Sequence, residues 1–489
     1  MRGGLKGRCG RLVSKPPIAG LKPGFSGERP PRGHGSITPY MATEAVDIDL
    51  DNTRIGKYRV LRKLGEGATS EVFLCRDDFH EREVAIKRVR AAALDAVDGP
   101  VYARFFAAEA ALVGRLQHPN VVQIFDAVAD SAAPYVVMEY VPGTTLRSFC
   151  RPDHLLPLEL IVEMGFKCAM ALGYVFRQGL IHRDVKPANI LAVTSDGSAS
   201  GLVTDVRVTD FGSVLNLASE TTQVYRVGSL AYMSPEQLDG QPLDCRTDIY
   251  SLGAVLYHLI AGRPPFEAES QAVMMNQIYN AQPQPLTGLR AGVDEAVNQV
   301  IQRALAKSPA DRYAHWDAFA QAISDLVSQR KVPRGHIQGV LDSERFNLLR
   351  SLDFFSGFGD VELWEVVHRA KWQRFPFGHS LYRRGEEGRT FHIIAQGSVE
   401  VFRSGKRVAL LGAGTSVGEM AYLAPSPELR RHSTDVLVAE PATTISFTPE
   451  TLQQLSASCR HLFDEAFIRV LVRRLHSAHE ALAHPRRIL

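Results

Sequence analysis

The chain has 489 residues, more than one ordinary hydrophobic core contains, so its length predicts two or three domains. Hydrophobic residues make up 45% and charged residues 22%, as in folded proteins and unlike disordered ones. The longest nearly apolar stretch, 252–262, is far shorter than the about 20 residues of a membrane span, which excludes a transmembrane receptor. Six scattered cysteines without a CxxC pair argue against a disulfide scaffold or a zinc ribbon and favour a cytoplasmic protein.

Positive charge is concentrated at the start of the chain. Residues 1–40 contain eight Lys or Arg and one acid, Glu28, whereas the net charge of the whole chain is only +3. The remainder is therefore close to neutral, which argues against nucleic acid as a direct partner. Residues 1–50 form a basic segment that we predict to be disordered. Residues 1–40 are either a transit peptide or an upstream extension before a start at Met41, and their presence in the mature protein stays open.

Strand patterns come first along the chain and helix patterns follow. Between Lys57 and Arg90, apolar positions alternate with turns rich in Gly, Asp and His, which predicts antiparallel strands. Residues 102–117 predict a helix, and residues 158–180 and 247–327 are mostly helical with short loops. This order indicates a smaller sheet lobe followed by a helical lobe.

A second pattern of short strands follows a predicted linker at 328–345. Glycine turns at Gly397, Gly405 and Gly412 separate the candidate strands, and this spacing predicts a small β-barrel or jelly roll. The candidate strands are Phe391–Ala395, Val399–Phe402, Val408–Leu411 and Thr444–Phe447. A final helix carries an apolar stripe that predicts a packed face, at Ile468, Leu471, Leu475, Ala478 and Leu482.

A glycine-rich turn and a lysine give the first chemical signal. The segment Gly65-Glu66-Gly67-Ala68-Thr69-Ser70 joins two predicted strands, and its small residues would let backbone N–H groups approach phosphates. Lys87 ends the apolar strand Val84-Ala85-Ile86. Glu109 falls on the apolar stripe of the predicted helix, together with Phe105, Leu112 and Leu116. Because a carboxylate turned toward a core is costly unless paired, we predict that Glu109 pairs with Lys87.

A second group of polar residues supplies what phosphoryl transfer needs. It consists of His182-Arg183-Asp184-Val185-Lys186-Pro187-Ala188-Asn189 and, after the Ser/Gly-rich segment 192–204, Asp210-Phe211-Gly212. Asn189 and Asp210 offer the hard oxygen ligands that Mg²⁺ prefers. Asp184 can accept a hydroxyl proton, and Lys186 can neutralise charge on a transferred phosphoryl group. Any one of these residues could be an ordinary loop residue, but together and in this order they indicate phosphoryl transfer.

On these motifs, together with Ser234-Pro235-Glu236, 247–253 and Asp311-Arg312, residues 57–327 resemble a bacterial eukaryotic-type (Hanks) serine/threonine protein kinase. The resemblance implies an α+β, bilobal protein-kinase fold that transfers the γ-phosphate of ATP, with Mg²⁺, to Ser or Thr hydroxyls of protein substrates. Ser70 and Ser234 stand where the family usually has Gly and Ala. A non-catalytic pseudokinase scaffold is an alternative, although no expected catalytic residue is missing.

The resemblance also implies individual roles. Asp184 would be the catalytic base, with Lys186 and Asn189 beside it, and Asn189 and Asp210 would hold Mg²⁺. The ATP-binding residues would be Gly65, Glu66, Gly67, Val72, Ala85, Lys87, Glu109, Met138, Glu139, Val141 and Leu191. Supporting roles fall to a buried Glu236–Arg312 ion pair and to Asp248, which would brace the catalytic loop. Thr221 and Thr222 are candidate phosphorylation sites, whose phosphate Arg183 would bind.

A second resemblance covers residues 346–482. A carboxylate at Glu419 could hold a ribose hydroxyl, and an arginine nearby could bind a phosphate through two hydrogen bonds. The segments Gly385-Glu386-Glu387-Gly388, 397–401, Val417-Gly418-Glu419 and 430–434 resemble a cyclic-nucleotide-binding domain of the catabolite-activator and regulatory-subunit type. The resemblance implies that Gly418 and Glu419 contact ribose and phosphate and that Arg431 contacts the cyclic phosphate of cAMP or cGMP. Val417, His432 and a lengthened connection at 425–429 depart from the family pattern.

Together the two resemblances predict a kinase regulated in cis by a small β-barrel of the cyclic-nucleotide-binding type with flanking helices. The alternative is an active kinase whose barrel is only a docking or dimerisation module. A single predicted helix follows the barrel, so we expect no direct DNA binding of the catabolite-activator kind. The protein substrate, the cyclic nucleotide, the sign of regulation and the oligomeric state stay open.

Overall fold

The computed structural model describes residues 53–67, 69–90, 99–129, 134–195, 201–216, 230–333, 335, 340–424, 426 and 429–483. The predicted disordered segment 1–50 and the candidate phosphorylation sites Thr221 and Thr222 lie outside these residues. Within the described part of the chain, no helix is long and apolar enough to cross a membrane. The five cysteines in that part are buried and free.

The first lobe is an antiparallel sheet of six strands in the order β1-β2-β3-β4-β6-β5. The strands are β1 Arg54–Ile55, β2 Tyr58–Glu66, β3 Ser70–Asp77, β4 Arg82–Val89, β5 Ile124–Val128 and β6 Tyr135–Glu139. One helix, α1 Gly99–Ala110, accompanies them. The helix predicted at 102–117 therefore ends seven residues early. The chain tightens into turns after Ala110, and Gly114, at φ +69°, donates its N–H to the carbonyl of Ile124 at 3.1 Å.

The second lobe is mainly helical, as predicted. Its helices are α2 Leu158–Arg177, α3 Pro235–Leu238, α4 Cys245–Ala261, α5 Gln271–Asn280, α6 Glu295–Ala304 and α7 Trp316–Ser328. Two small antiparallel sheets join it to the first lobe, with the strands β7 Gly143–Thr145, β8 Leu180–Ile181, β9 Ile190–Thr194, β10 Val203–Val208 and β11 Leu215–Asn216. Helix α2 lies at the centre, and a Cβ at its Gly165 would stand 2.9 Å from Leu256 of α4. Glycine therefore permits close packing of these two helices.

Two helices, α8 Asp342–Ser351 and α9 Asp360–Arg369, precede the second sheet. Residues 342–345 were predicted to belong to the linker but form the first turn of α8. The sheet contains β12 Lys371–Phe375, β13 Ser380–Tyr382, β14 Phe391–Arg403, β15 Lys406–Gly412, β16 Ser416–Val417 and β17 Asp435–Phe447. Its order is β12-β17-β14-β15, with β13 on β17 and β16 on β14. Three more helices are α10 Glu419–Tyr422, α11 Pro449–Gln453 and α12 Ala457–Ala483.

The prediction of a turn at Gly397 is wrong. Residues 391–403 form the single strand β14, whose register with β17 shifts between Ile394 and Val399. Gly397 has φ +81°, and a Cβ there would stand 2.5 Å from the carbonyl oxygen of Pro441. This glycine therefore forms a β-bulge, in which glycine permits both the left-handed conformation and the close approach of the neighbouring strand.

The apolar stripe predicted on the last helix is exposed at its four described positions, 468, 471, 475 and 478. Ile468 is 61% exposed and Leu475 is 58% exposed. Instead, α12 buries Cys459, Phe463 and Phe467. The ring of Phe463 packs against aromatic rings from several elements: Phe354, Phe355, Phe358, Phe391, Phe447 and Phe467. The helix has two apolar faces, and the face rich in aromatic residues buries more area.

The Gly397 geometry gives a test with a matched control. Gly397→Ala adds both left-handed strain and a backbone clash, so we expect the free energy of unfolding to fall by about 3 kcal/mol. Gly405→Ala is the control, because Gly405 has a similar φ of +76° with no atom within 4 Å of the added Cβ. It should cost about 1 kcal/mol. Urea unfolding of the full chain measures both changes, and equal losses would contradict the proposed clash.

Candidate functional site

Lys87 lies between two carboxylates at the junction of the two lobes. Its Nζ donates to Oε2 of Glu109 at 2.8 Å and to Oδ1 of Asp210 at 2.7 Å. The predicted pairing of Lys87 with Glu109 is therefore present, and Asp210 joins it. Burial alone would lower the pKa of Lys87, but the negative charges of Asp210 and Glu109 outweigh it and raise that pKa. Strand β4, helix α1 and the segment after β10 thus meet at one ammonium group.

The two carboxylates differ in their tendency to ionise. Burial opposes ionisation of Asp210, but Lys87 lies so close that the pKa of Asp210 falls well below its ordinary value. Burial dominates at Glu109 and raises its pKa, although Lys87 acts in the opposite direction. Glu109 exposes 4% of its side chain and Asp210 exposes 34%. Asp210 therefore supplies an ionised, partly open carboxylate, while Glu109 anchors the lysine from the interior.

The catalytic-loop residues form a second cluster around Asp184. Lys186 Nζ donates to Oδ2 of Asp184 at 2.6 Å. Asn189 Nδ2 donates to the same oxygen at 3.0 Å and to the Asp184 carbonyl at 2.9 Å. The ammonium group of Lys186 and the amide group of Asn189 thus fix the orientation of one carboxylate. The three candidate catalytic residues are brought together as the sequence predicts.

Asp248 on α4 fixes the backbone of the catalytic loop through two hydrogen bonds. Its carboxylate accepts the backbone N–H of His182 at 2.7 Å and that of Arg183 at 2.9 Å. Arg183 has φ +65°, and Asp210 has the same value, so both motifs contain a non-glycine residue in the left-handed region. Gln237 also contacts this segment, because its Nε2 donates to the backbone carbonyl of Arg183 at 2.7 Å. Such conformations persist where surrounding contacts hold them, and they are common at active sites.

The Glu236–Arg312 ion pair is present and buried. Arg312 donates Nη1 to Oε1 of Glu236 at 2.6 Å and Nη2 to Oε2 at 2.8 Å. Burial opposes ionisation of Glu236, but this bidentate hydrogen bonding outweighs it and lowers the pKa of the carboxyl. The pair connects α3 to the segment before α7 and thereby stabilises the helical lobe.

Four of the candidate ATP-binding residues lie on strands of two sheets. Ala85 of β4 pairs with Met138 of β6, and Val72 of β3 pairs with Lys87. Leu191 of β9 pairs with Thr145 of β7 across the smaller sheet. Ala85 and Met138 belong to the main hydrophobic core, and Val72 and Leu191 pack against it. Glu139 ends β6, and Val141 follows two residues later.

The glycine-rich segment forms the end of a hairpin. Gly65 and Glu66 belong to β2 and pair with Val72 and Glu71, while the N–H of Gly67 donates to the carbonyl of Ser70 at 2.8 Å. Glu66 forms ion pairs with Lys63 and Arg90. The hairpin therefore lies on the strand that precedes Lys87, as a phosphate-covering loop requires.

The residues present fit a divalent cation. Asp210 is held ionised and uses Oδ1 for Lys87, which leaves Oδ2 for a metal ligand. Asn189 uses its amide nitrogen for Asp184, which leaves the amide oxygen. One carboxylate and one amide oxygen are hard ligands that suit Mg²⁺, whose other positions would be filled by water and phosphate oxygens.

A cavity of about 600 Å³ opens in the second domain between the barrel and α12. The predicted ligand residues Gly418, Glu419 and Arg431 all line it. Arg431 donates to the carbonyl of Gly385 at 2.7 Å, whereas Arg430 is not among the lining residues and donates to the carbonyl of Ala424 at 3.3 Å. Gly418 has φ +85°, and a Cβ there would stand 2.5 Å from Oη of Tyr382. The volume is within the range of small-molecule pockets.

Glu419 has a partner that the sequence did not indicate. Its side chain is 1% exposed, and its Oε1 pairs with Nη1 of Arg474 on α12. Arg474 also donates Nη2 to the carbonyl of Ser416 at 2.6 Å. Oε2 of Glu419 is buried and has no hydrogen-bond partner among the residues that the structure describes. Glu419 lines the cavity, and a carboxylate with one oxygen that lacks a donor is a candidate acceptor for a ligand hydroxyl.

His432, which departs from the family pattern, fits its surroundings. Its ring stacks on Tyr382 with centroids 4.0 Å apart, and both residues line the cavity. Tyr382 Oη in turn donates to the carbonyl of Thr390 at 2.8 Å. Burial lowers the pKa of His432, which favours a neutral ring in this stack. The bulky residue is accommodated at the cavity wall.

Comparison with protein families defines the class of the chain. The protein kinase domain model matches residues 58–324, more than half of the chain, and the chain belongs to this family. The cyclic nucleotide-binding domain model matches residues 372–459. Both resemblances derived from the motifs are therefore confirmed.

Particular relatives are bacterial kinases. Serine/threonine-protein kinase PknB of Mycobacterium leprae is 36% identical over 303 residues, which cover 60% of this chain and 46% of the relative. PknB of Mycobacterium tuberculosis H37Rv is 35% identical over 304 residues, with the same two shares of 60% and 46%. A probable serine/threonine-protein kinase of Clostridium acetobutylicum is 32% identical over 273 residues, covering 55% of this chain and 40% of the relative. The match thus spans about half the length of these curated relatives.

Proposed function

We propose that this chain is a serine/threonine protein kinase that transfers the γ-phosphate of ATP to Ser or Thr hydroxyls of protein substrates. The observation that carries the proposal is the pair of clusters around Lys87 and Asp184. They bring a phosphate-binding cation, two candidate metal ligands and a candidate base together at the junction of the lobes. Lys186 in the catalytic loop supports the serine/threonine class, by resemblance to that family.

Each residue has a step in this proposal. Lys87 binds the α and β phosphates, and Glu109 holds it in place. Asp184 orients the substrate hydroxyl and accepts its proton, while Lys186 offsets negative charge on the transferred group. Bound Mg²⁺, held by Asn189 and Asp210, would neutralise charge on the phosphate oxygens. The short Lys186–Asp184 contact supports this arrangement, because it holds the base beside the cation.

A non-catalytic scaffold is less well supported. Such a protein would be expected to lack Lys87, Asp184, Asn189 or Asp210, and the chain contains all four. Hydrogen bonds join Lys87 to Asp210 and Asn189 to Asp184, so these four residues form two organised pairs.

We also propose that the cavity in the second domain binds a cyclic nucleotide, cAMP or cGMP, and thereby regulates the kinase in cis. Arg431 would bind the cyclic phosphate, and the carboxylate of Glu419 would accept a ribose hydroxyl. Because Arg474 already contacts Glu419, a ligand there would change a contact of α12. Regulation requires that the ligand favours one arrangement of the domains over another.

A docking or dimerisation module is the second candidate for the barrel. The observation that favours it is the exposed apolar face of α12, formed by Ile468, Val472 and Leu475. Such a face, when contiguous, is typical of an interaction surface. In this reading the kinase stays active and the cavity has no regulatory ligand.

The remaining proposals concern location and partners. The composition favours a cytoplasmic protein whose partners are protein substrates that bear Ser or Thr. Thr221 and Thr222 stay candidate phosphorylation sites, and Arg183, whose pKa burial lowers, would contact the phosphate.

Asp184→Asn tests the kinase chemistry. Without the base, phosphate transfer to casein and autophosphorylation should fall by a factor of at least about 100, because general base catalysis contributes about that much. Affinity for Mg-ADP, measured by calorimetry, should stay within about twofold of wild type. Asp153→Asn is the control, since Asp153 is 66% exposed in a surface ion pair with Arg151. Wild-type transfer by Asp184→Asn would refute the catalytic role.

Arg431→Ala tests the nucleotide site, and the adjacent Arg430→Ala is its control. Loss of a bidentate, charge-assisted contact should weaken binding of the active nucleotide by about 100-fold in Arg431→Ala. Arg430→Ala should change the affinity by less than about threefold, because that side chain is outside the cavity lining. Calorimetry of the full chain with cAMP and with cGMP measures both. Absence of binding to either nucleotide would favour the docking module instead.

A further inference from the structure

Helices α8 and α9 dock on the kinase helix α2 through buried polar contacts. Glu163 of α2 accepts the backbone N–H of Asp342 at 3.1 Å, that of Ser343 at 3.3 Å and the Ser343 hydroxyl at 2.6 Å. Rings from both sides meet beside these bonds, since Phe166 of α2 packs on Phe346 and Trp364 with centroids 5.5 and 5.4 Å apart. The start of α8 is therefore capped by a kinase carboxylate.

Two separate routes lead from these helices to strand β10. In the first, Lys167 of α2 contacts Asp342 of α8 and Asp205 of β10, each at 3.0 Å. In the second, the Nε1–H of Trp364 on α9 donates to Oδ1 of Asn120 at 3.3 Å. Asn120 Nδ2 in turn donates to Oδ1 of Asp205 at 2.9 Å and to the Val206 carbonyl at 2.9 Å. Both routes converge on Asp205.

Strand β10 leads directly to Asp210. The N–H of Val208, the last residue of β10, donates to the carbonyl of Asn120 at 2.8 Å. The next N–H, of Thr209, donates to the carbonyl of Asn189 at 3.0 Å. Asn120 thus contacts the strand at three points, and the end of that strand sets the position of the candidate metal ligand.

The Trp364 contact lies in the interior of the molecule. Asn120 is 0% exposed and Trp364 is 1% exposed. Without the indole N–H, the buried Oδ1 of Asn120 would lose the hydrogen bond that Trp364 donates. A buried acceptor without a donor destabilises the conformation that buries it. Asn120 would then reorient at the cost of its bonds to β10. A residue from outside the kinase lobes therefore completes the hydrogen bonding of a residue inside them.

We infer that Trp364 is a positioning residue for the phosphoryl-transfer site, acting through Asn120 on β10 and thereby on Asp210. The inference rests on the proposed kinase function and adds to it that the catalytic unit extends through α9. Asp342, acting through Lys167, supports the same strand from the other side. The second domain thus contributes to the geometry of the kinase site in addition to any ligand that it binds.

Trp364→Phe tests this inference, because it keeps an aromatic ring and removes the N–H. We expect kcat, corrected for the fraction of molecules that bind ADP, to fall roughly three- to tenfold with little change in KM for the protein acceptor. The Mg²⁺ concentration needed for half-maximal ADP binding, measured by calorimetry, should rise. Trp372→Phe is the matched control, since Nε1 of Trp372 is buried and has no hydrogen-bond partner within the described part of the chain. It should leave both quantities at the wild-type value.

Asp342→Asn supplies a second, independent variant. Because Asp342 and Trp364 reach the same strand, the double variant should lose less kcat than the product of the two single losses. Wild-type kcat and wild-type Mg²⁺ dependence in Trp364→Phe would overturn the inference. A loss of activity that disappears after correction for the fraction of molecules that bind ADP would also overturn it, because that loss would be only structural. Absence of Mg-ADP binding and phosphate transfer in the wild-type chain would instead overturn the proposed function, so the two failures are distinguishable.

Discussion

The arrangement of the kinase lobes depends on the ammonium group of Lys87, which contacts the carboxylates of Glu109 and Asp210 at once. A buried charge is stable only when it is paired, so each of these residues requires the others. One positive and two negative charges leave a net negative charge, which suits a site for a divalent cation. Sheet, helix α1 and the segment carrying Asp210 are therefore placed by a single electrostatic requirement.

The same requirement explains how the second domain is attached. The kinase helix α2 buries Glu163 and Lys167, and the neighbouring Asn120 is fully enclosed. Partners for these polar groups come from α8 and α9 as well as from β10. These helices thus supply partners to three buried polar residues of the kinase domain. Helix α9 also contacts the beginning of α12, where Ser458 Oγ donates to Oε1 of Glu362 at 2.8 Å.

Local motifs in the sequence were sufficient to predict much of the kinase site. Lys87–Glu109 followed from a carboxylate on an apolar helix face, and the cluster around Asp184 followed from closely spaced residues. Arg474 and Trp364 were missed, because their partners Glu419 and Asn120 are 55 and 244 positions away in the chain. No periodicity or spacing indicates such pairs, since only the packing of whole elements brings them together.

The incorrect predictions of the fold also have their cause in contacts that the local sequence pattern does not contain. Gly397 carries the signature of a turn, but the close approach of Pro441 that makes it a bulge comes from a strand distant in sequence. In α12, two apolar faces compete, and periodicity alone does not say which one meets the aromatic cluster. Helix α1 ends early because Gly114 bonds to β5, a partner that the helix pattern does not contain.

Helix α9 contacts α12, which lines the ligand cavity, and it also contacts Asn120 beside β10, so these contacts connect the cavity to the kinase site. Hydrogen–deuterium exchange of the full chain, with and without the cyclic nucleotide that binds, tests this connection most directly. We expect changed exchange at α9 and at β10 as well as around Glu419 and Arg474. A change confined to the barrel and α12, with α9 and β10 exchanging as before, would contradict the connection.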